Sequence, residues 1–265
     1  MTIATALSLV VLAAVVVVVV ARLSAKHQFD GDLWKPFTEY SVLKFLFLGL
    51  VNTLKVAAVA MALALMFGGT LALGRLSLLR PVRWLTTGLI ELFRAYPLLL
   101  LIFFMPKLLK LAGLELSSFW PLAIALMLYN GSILAEIFRA GVLSLDHGQE
   151  EAAQSIGLGY WQSMAFVLAP QAVRRMAPAI VSQLITLLKD TALGALIFYD
   201  ELLRRADGAG NEFGNNLQMY VIVAAVYIVI NFALSRLARR LEVRQRRRYG
   251  ADAISVAGVE ELVGA

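Results

Sequence analysis

The chain has 265 residues, 60% of them apolar, with a mean hydropathy of +0.77 and a formal net charge of +6. Charged residues make up only 16%, against roughly 25% in soluble domains, which excludes an ordinary soluble globule and points to a membrane protein. The absence of cysteine excludes disulfides and thiolate metal sites. The charge excess needs no nucleic acid, because residues 236–249 hold seven Arg and one Glu, the mark of a helix end retained in the cytoplasm.

In chain order, the first element is Ile3–Ala21, a charge-free run of 19 residues. It has no Lys or Arg before Arg22 and exceeds a signal-peptide core, so it reads as a retained anchor. The link from Arg22 to Lys55 is mixed in charge; with the N-terminus inside it lies outside, against the bias set by its lysines. Around Phe37–Leu50 it is partly amphipathic, which predicts a segment along the outer interface. Val56–Gly74 is the second span, with Ala60, Ala64, Gly68 and Ala72 spaced by four on one face. Such a face permits close helix approach in lipid, and packing within the chain is the expected use.

The third span, Trp84–Phe104, holds Glu91 and Arg94, three apart and able to share a face. Leu116–Ala135 is a fourth span of 20 residues, with Asn130 and Ser132 near its end. The loop Gly141–Arg175 carries its own helical signals. Gln149–Ile156 is a good helix former with an acidic first turn. Gly157 and Gly159 end it, Tyr160–Leu168 reads as a second short helix, and Pro170 is expected to stop that one. His147 stands alone there, and the loop has no nucleophile–base pair.

Met176–Tyr199 is the fifth span, broken by Lys189 and Asp190 before Thr191, with Gln183 and Thr186 also inside it. Phe213–Ser235, 23 residues, is the sixth. Each run is long enough for a core of about 30 Å at 1.5 Å per residue. The expected architecture is an all-α polytopic membrane protein of about six helices, divided into an anchor and link (1–50), a transmembrane domain (51–240) with the loop 141–175, and a basic cytoplasmic tail (241–265). Residues 250–265 receive no role.

Charge at bilayer depth costs at least ~2.5–3.5 kcal/mol on insertion scales and so calls for a reason. A broken helix at the midplane is where transporters expose backbone to substrate. Arg94 or Lys189 suits a ligand's carboxylate, Asp190 its ammonium, and Asn130, Gln183 and Thr191 add neutral polar groups. No Gly-Lys pair occurs, so the chain has no phosphate-cradling loop of its own. Two alternatives are an ion-coupled transporter with inverted repeats and an intramembrane enzyme. The first lacks visible internal symmetry. The second lacks an H-E-x-x-H motif or a serine suitably spaced from Lys189.

The stretch "EAAQSIGLGYWQSMAFVLAP" (151–170) resembles the EAA loop of ABC importer permeases: Glu151, Ala152, Ala153, Gly157, Val167 and Pro170 match, with Ala169 in place of the usual leucine. "IELFRAYPLLLLIFF" (90–104), "YNGSILAEIFRAGVLSL" (129–145), "PQAVRRMAPAIVSQLITLLKDTALG" (170–194) and "VNTLKVA" (51–57) are similar to segments of the polar amino acid branch of that family. The "KHQFDGDLWKPF" link and the "YNGS" and "VSQ" spellings are most similar to glutamate importer permeases of actinobacteria. The resemblance implies a type I (MetI-like) importer fold. It also implies a coupling helix around Glu151 that docks on a separate ATPase, which holds the ATP and magnesium, this chain binding no cofactor. Further implied partners are a homologous second permease subunit and an external or periplasmic substrate-binding protein, in a bacterial plasma membrane.

Overall fold

The computed structural model describes residues 3–236 and 239–240. The basic tail 241–265 lies outside the described residues. Every regular element among the described residues is helical.

Helix α1 (Ile3–Ala25) is buried nowhere between Leu7 and Ala25, which leaves its valines and leucines bare, as suits a helix in lipid. A 3-10 turn (Gly31–Thr38) with Pro36 buried leads into α2 (Tyr40–Arg75). This helix is continuous for 36 residues, about 54 Å at 1.5 Å per residue. The segment Phe37–Leu50, expected along the outer interface, is mostly the first turns of this helix, and the division placed at residue 50 falls inside it. Val42 and Leu46 are buried against Leu202, Ala206 and Met219. That tertiary contact carries the helix through a stretch whose lysines, Lys44 and Lys55, read as a loop.

The third expected span is two helices, α3 (Arg80–Ala95) and α4 (Leu98–Leu111), bent by 108°. The break is at Tyr96-Pro97: a residue before proline avoids α-helical backbone, and Tyr96 is extended with ψ 127°. With this pair counted as one, the described residues contain six candidate spans; without it, five. Helix α5 (Phe119–Leu143) runs eight residues past the expected end at Ala135. Helix α6 (His147–Ser155) follows.

A single helical run, Tyr160–Ile197, then crosses the molecule. It comprises α7 (Tyr160–Ser163), a π turn (Met164–Leu168), α8 (Ala169–Asp190) and a 3-10 turn (Thr191–Ile197). Pro170 therefore starts α8 instead of stopping a helix. The π turn, closed by Ala169 N–H on Met164 O, shifts the bonding register just ahead of a proline that has no N–H to give. A short amphipathic helix, α9 (Leu202–Phe213), ends at Gly214 with φ +67°, and α10 (Asn216–Arg236) is the last span. Helix α9 was not expected from the sequence.

The core centres on α2 and α5. Ala60, Ala64, Gly68 and Ala72 are all buried, in agreement with packing inside the chain. A Cβ on Gly68 would lie 2.6 Å from the Gly131 carbonyl oxygen, so the two backbones touch. In lipid, where burial gains no hydrophobic free energy, such contact is what holds helices together. Leu122, Leu126, Leu134 and Leu187 fill the surrounding space.

Two ends are distinct. At one, Tyr160 Oη donates to Leu76 O (2.6 Å), bringing the 76–79 connector beside α6 and α7. At the other, Gln218 Nε2 donates to Gln28 O (2.6 Å) and Asn215 Nδ2 to Leu33 O (2.8 Å), pinning the 26–38 link to the start of α10.

Candidate functional sites

The first site is the α6–α7 knob. Asp146 caps α6 by accepting the Gly148 N–H at 2.8 Å, as an acidic side chain at an N-cap should. Gly157 adopts φ +87°, a left-handed backbone that favours glycine, and turns the chain out of α6. The Gln162 side chain then accepts the Gly159 N–H at 2.9 Å. Besides Tyr160, one bond fastens the knob to α8, Gln171 Nε2 to Gln149 Oε1 (3.0 Å); Arg175 Nη1 donates to Ser144 O (2.7 Å), tying α8 to the end of α5 just ahead of the knob. Glu151, Ala152, Gly157 and Pro170 are exposed, and Ile156 is 77% exposed at the tip. Ala153 differs from the expectation of a docking alanine. It is buried inside the chain, where its small side chain lets α6 sit against the following segment.

The second site lies along α8. Gln183 Nε2 donates to Asn130 Oδ1 (2.7 Å), and Asn130 Nδ2 to Leu126 O (3.1 Å), so two of the residues singled out in the sequence meet across α5 and α8. At Asp190–Thr191 the helix tightens from α to 3-10, with the buried Thr191 hydroxyl on Leu188 O (2.6 Å). Exposed Lys189 lines a groove of about 540 Å³ between this turn and α10, with Tyr227, Asn231 and Ser235 as polar neighbours. Asp190 Oδ2 and Asn231 Oδ1 are buried acceptors without a hydrogen-bond partner.

Arg94 lies elsewhere. It faces Glu91 at 3.8 Å, the i,i+3 pair that the spacing predicts. Arg75 also reaches Glu91 (3.8 Å) and bonds Glu136, which Arg139 holds at 3.1 Å. This network ties α2, α3 and α5 together. Glu136 and Arg139 carry no role in the sequence reading because the span was ended at Ala135, the last residue before the charge.

Glu201 was also missed. It is fully buried, caps α9 by accepting the N–H groups of Leu203 (2.9 Å) and Arg204 (2.6 Å), and receives Tyr227 Oη at 3.1 Å. Burial pushes its carboxyl up to about 7, the three donors pulling the other way. Thr53 Oγ1 accepts the Leu202 N–H beside it (3.1 Å), so α2, α9 and α10 converge on one carboxyl. An acid directly before the amphipathic "LLRRADGAGNEF" is the signal that would have marked this helix start.

Comparison with known proteins agrees with this geometry. Residues 60–247 match the family "Binding-protein-dependent transport system inner membrane component". The glutamate transport system permease protein GluD of Corynebacterium glutamicum is 40% identical over 243 residues, 90% of this chain and 89% of that one. The probable glutamine ABC transporter permease protein GlnP of Bacillus subtilis is 41% identical over 209 residues, 77% of this chain and 94% of that one. A crystal structure described as an amino acid ABC transporter with histidines superposes with a TM-score of 0.72 at 30% identity, covering 80% of this chain and 97% of that one.

Proposed function

Because the chain belongs to the family of binding-protein-dependent transport system inner membrane components and is the permease of an amino acid ABC importer, we propose that its substrate is an acidic amino acid, glutamate foremost. The observation that carries this reading is the α8–α10 groove, whose one charged lining residue among those described is a cation, Lys189, beside the unpartnered acceptors of Asp190 and Asn231. A carboxylate fits the ammonium of Lys189, and a substrate ammonium fits the orphaned acceptors. Of the other polar candidates, Asn130 and Thr191 are fully buried and, with Gln183, stand outside the groove's lining. Arg94, held by Glu91 on α3, lies outside this groove, so it would supply the second cation that an acidic side chain needs only elsewhere along the passage. The name of the 40% identical relative points to the same substrate; that of the glutamine relative points to a neutral one.

In this reading a substrate-binding protein delivers at the end formed by the 26–38 link. The 146–170 knob faces the cytoplasm with the C-terminus. There it takes the closing motion of a separate ATPase, which holds the ATP and magnesium, through the exposed Glu151, Ala152 and Ile156. A homologous second permease subunit completes the passage. The anchors from Tyr160, Gln171 and Arg175 would transmit displacement of α6 to α2, α5 and α8 together, so that the spans rock as bodies. Uptake of labelled glutamate by Lys189→Ala and Arg94→Ala variants tests the substrate assignment. Lys189→Ala is expected to raise the half-saturating concentration roughly ten- to hundredfold, the loss of one charge-assisted contact of about 1.5–3 kcal/mol; wild-type kinetics in both variants would remove it.

A further inference from the structure

At the knob end, outside the α8 groove, α2, α3 and α5 enclose a recess of about 740 Å³ lined by Arg75, Arg83 and Arg139 with Trp84, Thr87 and Tyr160. Among the described residues its lining holds three guanidiniums and no carboxylate. Glu136 pairs with Arg75 and Arg139 from behind, Glu91 reaches Arg75 at 3.8 Å, and Glu150 lies near Tyr160 at the edge, which leaves Arg83 without a counter-charge. Among the described residues Arg83 has no ion-pair partner, and it is exposed. The rim has the opposite character: Trp84 is 77% exposed, and Leu78, Leu79 and Leu85 are each more than 60% exposed. Guanidiniums at a polar mouth, an indole beside them and bare leucines alongside match the profile of a membrane interface, with phosphate above and acyl chain below.

We infer that this recess binds the headgroup of an anionic phospholipid, with Arg83 and Arg139 on the phosphate and Trp84, Leu78 and Leu85 against the glycerol and upper acyl region. Arg75 and Arg139 are pre-oriented by Glu136, which lowers the entropic cost of gathering the cations. A bound headgroup bridges α3 to the end of α5 and lies next to Tyr160, whose hydroxyl anchors the knob on Leu76 O. The inference rests on the membrane reading of this end but not on its sidedness, since both leaflets of a nanodisc have the same composition.

The test uses the full-length chain in nanodiscs of equal parts phosphatidylethanolamine and phosphatidylglycerol, followed by native mass spectrometry of lipids retained after release. Phosphatidylglycerol should be retained preferentially by the wild type. Arg83→Gln should weaken retention roughly fivefold, the worth of one basic residue near a membrane surface, and Arg83→Lys should restore most of it. Arg83 has no partner to lose, so its variants should unfold at the wild-type temperature; Trp84→Ala gives an independent second reading with the same expected loss. Equal retention by wild type and Arg83→Gln overturns the inference. So does displacement of the lipid by millimolar inorganic phosphate, which would assign the recess to free phosphate. A photo-crosslinker at position 83 that captures the ATPase subunit instead of lipid in the assembled complex would overturn it in favour of a protein contact.

Discussion

Single side chains in this protein are decided by what surrounds them in the fold. Glu201 is the clearest case. Its ordinary value is near 4.5, and burial raises it to about 7 in the folded chain. Between those values the native state keeps a proton that the unfolded chain releases. Stability is therefore fullest below about 4.5 and falls as pH rises through about 7. Thermal unfolding in detergent across that window should show a falling midpoint in the wild type and a flatter one in Glu201→Gln. The same slope in both would assign the pH dependence to another group. Asn130 and Gln183 illustrate the complementary point. Their types and their depth in a span mark them in the sequence, but only the crossing of α5 over α8 sets them 2.7 Å apart. Arg94 shows the limit of reading by type: a cation in a span suggests a ligand, yet its nearest partner is Glu91 one turn away.

At the scale of elements, composition located the apolar runs, and tertiary contact set their ends. The expected second span began at Val56, but α2 begins at Tyr40. Lys44 and Lys55 argue against a lipid-buried turn, and Val42 and Leu46, packed on α9 and α10, override them. The expected third span broke at Tyr96-Pro97 for a reason visible in the sequence but outweighed there by hydropathy. The small-residue ladder of α2 was legible because spacing by four marks a helix face in any environment. It supports a paired test. Gly68→Val places side-chain atoms into the Gly131 carbonyl, an overpacking cost of about 1–3 kcal/mol. A Cβ on Gly69, one residue on, meets nothing within 4 Å. Fluorescence-detected size exclusion after heating should show Gly68→Val losing its folded peak several degrees below Gly69→Val. Equal melting of the two would show that the α2–α5 contact is not where stability resides.

For the molecule as a whole, the separation of its two ends matters most. The knob is bolted to the end of α2 and to α8 by two side-chain bonds and leaves Glu151 and Ile156 to solvent. If it is the point through which an ATPase drives the spans, Glu151→Lys should abolish stimulation of ATP hydrolysis by substrate while membrane insertion stays at wild-type level. That follows because an exposed residue on α6 has no core contact to lose. Normal assembly and coupling of Glu151→Lys would contradict the reading, and a fractionation blot with an ATPase assay on purified complex checks both halves.

The sequence by itself determined the class of protein, the presence of a helical knob between two spans and the family to which the chain belongs. Each of these is written in local composition or in a run of adjacent residues. Tertiary structure decided which polar groups share a site, where the long helices start and stop, that Ala153 turns inward, and that Glu136 and Glu201 are junctions of three helices. These depend on helix crossings between residues dozens to more than a hundred positions apart. In lipid, where every apolar face is equally soluble, hydrophobic patterning does not encode which faces meet; shape and hydrogen bonding choose them.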